Sequence, residues 1–236
     1  MQHKAKFFIL LLIGISCLLP FSVTATEQTD SGLNLYYVRH AETEANRTGH
    51  HTEENVKIFS PNGKQQLLEL PLKLEKYQFD HIFVSPKWRT LHTILPYLKE
   101  HNLKAEIWPE LEECCWQEDK NVAPSDTLPP VKKIELSDDL KPFFKFRDEN
   151  SSYWYESQNY ADGLIQIQKV CDMISSKFSQ SGKTILLVGH GCAGSRIFEI
   201  LQGKKPDGKI GVFNAKITYL KEQKNNKFKI ISLNEQ

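Results

Sequence analysis

Short, nearly unbroken apolar runs punctuate this chain, and longer stretches with helical spacing lie between them. Residues 33–38 (LNLYYV), 81–85 (HIFVS), 105–109 (AEIWP) and 185–188 (ILLV) are runs of strand length, the pattern of strands buried on both faces. Ser60-Pro61 reads as an N-cap followed by proline at the first helical position, opening a helix to about Leu74 that Pro71 should kink or shorten. Ser85-Pro86 repeats the device, with Ser85 as cap and Arg89 in the first turn of the helix that follows. Leu164, Ile167, Cys171, Ile174 and Phe178 recur at helical spacing over 159–178, until Ser181-Gly182 stops the run. Residues 195–201 continue from the fourth strand as a helix, and 212–222 with 227–233 close the chain as a hairpin. Alternation of this kind predicts an α/β layered fold with a mostly parallel sheet and an antiparallel edge. No internal repeat and no second domain interrupt it.

Two segments break the rhythm. The first 25 residues carry Lys4 and Lys6, an apolar run at 7–19 and small residues at Val23-Thr24-Ala25, the organisation of a secretory signal peptide. The apolar run is short for a span of ~20 residues, and Pro20 ends it, so a membrane anchor fits less well. Lipid attachment at Cys17 is the weaker alternative, because Gly14 stands where a large aliphatic residue is usual. Cleavage after Ala25 would direct the protein to the periplasm or outside the cell, with a polar lead-in at 26–32. The second segment, 117–157, combines prolines, charges and the aromatics Phe143, Phe144, Phe146, Tyr153, Trp154 and Tyr155. An insertion this long in a compact domain is expected to be functional, often as a lid. Lys145 and Arg147 within it suggest a contact to a second anionic group or a stacked ring, against the plainer reading of a solvated surface.

Removing 25 residues from 236 leaves 211, enough for one domain with a real core. Subtracting the two leader lysines leaves 28 basic against 29 acidic residues, a net charge of −1. Near-neutrality argues against a nucleic-acid or anionic-membrane surface, so any functional positive charge must be local. The remaining cysteines, Cys114, Cys115, Cys171 and Cys192, allow three complete pairings in an oxidising compartment. Buried free thiols and one disulfide both stay open. Their spacing does not suggest zinc.

The chemistry sits at the strand ends. Arg39-His40, Ser85 with Arg89, and His190 each follow an apolar strand directly, and such positions converge on one crevice in an open α/β sheet. Arginine binds phosphate through paired hydrogen bonds, and histidine is available unprotonated near neutrality as a nucleophile. Structural salt bridges or satisfied core histidines would explain any one of these residues alone, but not all together. GHGCAG at 189–194 imitates a dinucleotide-binding motif, yet no acidic residue follows at the next strand end about 20 residues on. Glu113, after the third strand, can reach the same crevice as an acid, or can belong with Glu110 and Glu112 to a solvated charge run.

In order and content these motifs resemble the histidine phosphatase superfamily, in the branch shared with phosphoglycerate mutases. Arg39, His40, Ala41, Glu42, Thr43 and Asn46 fill the family's opening motif. Gly63 and Gln66, then Ser85, Pro86, Arg89, Thr90 and Thr93, then Leu111 with Glu113, then His190-Gly191 follow in register. The resemblance implies a three-layer α/β/α sandwich with the 117–157 insertion over the pocket. It implies a phosphohistidine on His40, with Arg39, Arg89 and His190 on the phosphate and Thr43 and Asn46 beside them. Glu113 would be the general acid and base, and Glu112 is its one close competitor. The substrate would be a small phosphomonoester, and no metal or cofactor is expected. Where the family continues with glycine and tryptophan, this chain has CCWQE. A phosphomutase and a non-catalytic phosphate-binding scaffold are the alternative functions.

Overall fold

The computed structural model describes residues 31–117, 119–125, 132–155 and 157–235; the expected signal segment, the start of the lead-in and parts of the insertion lie outside the described residues. Seven strands form one sheet: β1 (Asn34–Arg39), β2 (His81–Val84), β3 (Ala105–Ile107), β4 (Phe144–Phe146), β5 (Thr184–Gly189), β6 (Ile217–Glu222) and β7 (Phe228–Glu235). Their order is β4-β3-β2-β5-β1-β6-β7. The five from β4 to β1 are parallel, and β6 and β7 add the expected antiparallel edge. Helices α1 (Glu44–Thr48), α2 (Pro61–Leu74), α3 (Trp88–His101), α4 (Tyr160–Phe178) and α5 (Gly191–Leu201) complete the chain.

The layers follow from strand pleating, which sends alternate side chains to opposite faces. In β5, Ile185 and Leu187 join Leu35, Tyr37, Ile167, Val170 and Phe198 on the face covered by α4 and α5. Leu186 and Val188 join Val38, Val84, Leu70, Ile94 and Leu98 on the face covered by α2 and α3. Both faces of the central strands are thereby dry, which is why they read as unbroken apolar runs and not as alternation. The result is the three-layer sandwich. Among the described residues no helix is long and apolar enough to cross a membrane.

Several local expectations are corrected. Ser60 caps α2 as read, its Oγ accepting from the Gly63 amide, but Pro71 does not shorten the helix, which runs through it to Leu74. Ser85 is not the cap of α3: that helix begins at Trp88 after Lys87, because the Ser85 hydroxyl is taken by His190. The fifth helix starts at Gly191, four residues earlier than its apolar spacing suggested, with His190 at its N-cap. Helix α1 and strand β4 were not foreseen. The insertion's aromatics serve the sheet more than the crevice: Phe144 is buried on the α2–α3 face, and Phe143, Phe146 and Trp154 pack against that core. Lys145 and Arg147 face Glu106 and Glu110, at 3.8 and 3.4 Å, and neither reaches the crevice. All four described cysteines are free thiols; the sulfurs of Cys114 and Cys115 lie 3.1 Å apart.

Candidate active site

Strand register brings the site together. Val38 and Val84 both pair with Val188, so three parallel strands end at one level. The His40 amide then donates to the Gly189 carbonyl at 3.0 Å, and the Ser85 amide to the Val188 carbonyl at 3.0 Å. Residues 39–40, 85 and 189–190 therefore emerge side by side at the carboxyl edge, where β5 enters between β1 and β2 and the helices change face. The rings of His40 and His190 face each other with centroids 5.3 Å apart and planes at 63°.

The tautomer of His40 is fixed by its neighbours. Nδ1 lies 2.8 Å from the Ala41 carbonyl, which can only accept, so Nδ1 carries the hydrogen and Nε2 the lone pair. The Arg89 Nε–H donates to that lone pair at 3.2 Å. His40 is only 2% exposed, and burial, reinforced by Arg89 and Arg39, drives its pKa well below the usual imidazole value. His190 is depressed in the same way, by burial first and then by Arg89 and His40. Burial also lowers the Arg89 pKa, against the opposing carboxylate of Glu113, but a guanidinium keeps its charge.

Two buried polar atoms are left without partners here, Nε of Arg39 and Nδ1 of His190. Buried donors are ordinarily satisfied, so the pair marks a place for a ligand rich in acceptor oxygens. Arg39 is otherwise aimed by its Nη1 bond to the Val212 carbonyl at 2.9 Å. Glu113 sits on the N-terminus of α5: its oxygens accept from the amides of Gly191, Cys192 and Ala193 at 3.2, 3.4 and 2.9 Å. That arrangement suits a carboxylate, because the first helical amides lack partners within the helix. Glu112 points into a different set of bonds, with Lys87 Nζ at 2.7 Å and the Tyr155 amide at 3.2 Å. Asn46 accepts from the Thr43 amide at 3.1 Å and from its hydroxyl at 3.0 Å, so its amide nitrogen is the end it can turn to an anion. Arg39, His40, Thr43, Asn46, Arg89 and Glu113 all line one cleft of about 800 Å³, and His190 lies buried against it.

Supporting residues hold this loop rigid. A Cβ on Gly63 would fall 1.9 Å from the Glu42 carbonyl oxygen, and Gln66 Oε1 accepts from the Glu42 amide at 2.8 Å. The two motif positions thus clamp the turn after β1 and do not touch the cleft. Sequence reasoning missed Tyr37 and Asn214. The Tyr37 hydroxyl accepts from the His190 amide at 2.7 Å and donates to the His190 carbonyl at 2.8 Å. Cβ atoms on Gly189 or Gly194 would strike the Tyr37 ring, and one on Gly191 would press on the Arg39 guanidinium. The glycines of GHGCAG make room for these side chains and not for a dinucleotide. Asn214 Nδ2 donates to the His40 carbonyl at 2.8 Å. Nothing in local spacing advertises either residue, since both act across more than 150 positions.

Sheet order, helix placement and a cationic, imidazole-bearing cleft at the carboxyl edge define an α/β enzyme. The chain belongs to the histidine phosphatase superfamily: the family description for its branch 1 matches residues 35–236. Among solved structures it is similar to the alpha-ribazole phosphatase of Shigella flexneri, at TM-score 0.62 and 18% identity over 86% of this chain and 96% of that one. It is also similar to the phosphoserine phosphatase of Entamoeba histolytica, at TM-score 0.56 and 19% identity over 86% and 96% of the two chains. A mycobacterial glucosyl-3-phosphoglycerate phosphatase gives TM-score 0.59 and 16% identity over 86% and 99%. At such identities the likeness establishes the fold. No curated protein matches the chain by sequence.

Two outcomes follow from the geometry. Tyr37→Phe removes the hydroxyl that grips both polar groups of the His190 backbone. It should cost about 1–3 kcal/mol of stability in chemical denaturation and lower kcat/KM between about ten- and a hundredfold through misplacement of that ring; unchanged turnover would refute the positioning role. The second concerns pH. Because both imidazoles have folded-state pKa values below their unfolded values, the unfolded chain takes up protons first as pH falls. Stability is thus fully present above about 6.5 and declines below it, toward the depressed folded values. The acid limb of kcat/KM, corrected for titration of the substrate, should likewise lie below the ordinary imidazole value; a limb at about 6.5 or higher would contradict the depressed pKa.

Proposed function

We propose that the protein is an exported phosphomonoesterase that works through a phosphohistidine on His40. The observation that carries this reading is the His40 tautomer: Nδ1–H is spent on the Ala41 carbonyl, and the Nε2 lone pair lies beside Arg89. Nε2 attacks phosphorus, the P–O bond to the alcohol breaks, and Glu113 as a carboxylic acid gives its proton to the departing oxygen. Glu113 as carboxylate then takes a proton from water, whose oxygen attacks phosphorus and breaks the P–N bond, releasing phosphate. Arg39, Arg89 and His190 hold the nonbridging oxygens, with Thr43 and Asn46 at the side. Phosphoryl transfer of this kind is governed by positioning and charge stabilisation, which two guanidinium groups supply, so the reading calls on no metal or cofactor. Family membership and the phosphatase names of the similar structures support it. A mutase would use the same groups to return the phosphate to substrate; the leader argues for hydrolysis, since an exported enzyme meets few glycolytic intermediates.

His40→Ala should reduce phosphate release from any monoester more than about a thousandfold with the fold intact by circular dichroism. Glu113→Gln should cost about 10²–10⁴ in kcat for an alkyl phosphate and far less for p-nitrophenyl phosphate, whose leaving group needs no proton. Equal losses on both substrates would remove Glu113 from the acid role, and isomerisation without phosphate release would establish the mutase. For the leader, mass spectrometry of protein expressed in its full-length form should find a mature N-terminus at Thr26 in the periplasm or medium. Retention of Met1 on cytoplasmic protein would defeat export, and a lipid on Cys17 would replace release with anchoring.

A further inference from the structure

The cleft is far larger than a phosphate. At about 800 Å³ it lies in the upper part of the range of sites that enclose whole organic ligands, roughly 300–1,000 Å³. Its phosphate end is the cationic hollow already described. Beyond that end the wall is built from His51, Val56, Trp116, Tyr155, Ser157 and Gln158. This outer chamber must receive whatever the phosphate is attached to.

Among the described residues its lysine is already paired. The lysine of the lining, Lys87, has its ammonium 2.7 Å from the buried carboxylate of Glu112 and 4.4 Å from the centre of the Trp154 ring. An anionic group on the substrate would have to share the Lys87 ammonium with the buried Glu112 carboxylate, which weakens the hold of Lys87 on it. Flat apolar surface, by contrast, is on offer. Trp116 is 58% exposed although it lines the cleft, and the Tyr155 ring is steadied by Lys169 at 4.7 Å from its centre. A lone exposed aromatic means little, but two in the wall of one substrate-sized cleft supply aromatic surface for a bound ring.

We infer that the natural leaving group is uncharged and carries a planar apolar ring that packs on Trp116 and Tyr155, an inference that rests on the phosphomonoesterase reading above. Aryl esters are a poor test, because their leaving groups are intrinsically activated. The comparison should use 2-phenylethyl phosphate, n-butyl phosphate and 3-phosphoglycerate, with kcat/KM measured on the full mature protein. The ring should favour 2-phenylethyl over n-butyl phosphate by about tenfold, the scale of one buried aromatic contact, and 3-phosphoglycerate should rank last. Trp116→Ala should bring the ratio of the first two close to one. Hydrolysis of n-butyl phosphate with no preference for the ring, a preference that survives in Trp116→Ala, or 3-phosphoglycerate ranking first would overturn this inference alone. Hydrolysis of none of the three would overturn the phosphomonoesterase reading and this inference with it.

Discussion

Side-by-side pairing of β1 and β5, with Arg39 opposite Gly189, is the constraint on which the site depends. Parallel strands joined in this register deliver their following residues to one edge, so His40 and His190 meet although 150 positions separate them. A slip by one residue would turn the histidine of the slipped strand away from the other and carry its side chains into the opposite layers, losing the packing on both faces. The hydrophobic layers therefore enforce the catalytic geometry. Leu186 and Leu187, fully buried on opposite faces of β5, hold the register from both sides. Tyr37 adds a polar lock, closing two hydrogen bonds on the backbone of His190 from within the adjacent strand.

On that frame the electrostatics have a consistent direction. Arg39 and Arg89 bring positive charge to a mostly buried place, and both imidazoles respond by staying neutral, their pKa values pressed down by burial and by the guanidinium groups. The negative charge nearest to them, Glu113, is held on the amides of α5 and not in an ion pair with either arginine. Both arginines thus keep donors for an incoming anion, and the orphaned Arg39 Nε and His190 Nδ1 are the residue of that arrangement. Glu112 and Lys87 neutralise each other a short way off, which sets that pair apart from the cationic end of the cleft.

Much of this was legible in the chain. The central strands declared themselves as apolar runs, and the site histidines and arginines stood directly at their ends, so the fold class and the convergence of His40, Arg89 and His190 followed from spacing. What was not legible shares one cause, namely contacts formed at long range. Strand β4 has three residues and exists because it pairs with β3; its FKF gives no period of its own. Ser85 looked like a helix cap because serine before proline usually is one, yet its hydroxyl has a better partner 105 residues away. The insertion's aromatics show in sequence only that they cluster; Phe143, Phe144, Phe146 and Trp154 enter a core that belongs to other elements, while Tyr155 lines the cleft. Tyr37 was counted as one more apolar residue of β1, and its hydroxyl, the part that matters, has no local signature.

The short turn after β1 shows why such supports would matter for the nucleophile proposed at His40. A histidine that attacks phosphorus must hold one tautomer and one orientation, or much of the advantage of proximity is lost. Here the Ala41 carbonyl sets the tautomer, Asn214 holds the His40 carbonyl, and Thr93 Oγ1 accepts from the Ala41 amide at 2.9 Å. Gly63 lets α2 approach the Glu42 backbone closely, and Gln66 fixes that contact with a hydrogen bond. These supports come from α2, α3 and the segment before β6, so three separate parts of the chain restrain a loop of a few residues. None of them needs to touch substrate to matter. A loop restrained in this way has little freedom to adapt to different ligands, which is why the inferred selectivity is placed elsewhere in the cleft, in the wall that the insertion and the CCWQ segment contribute.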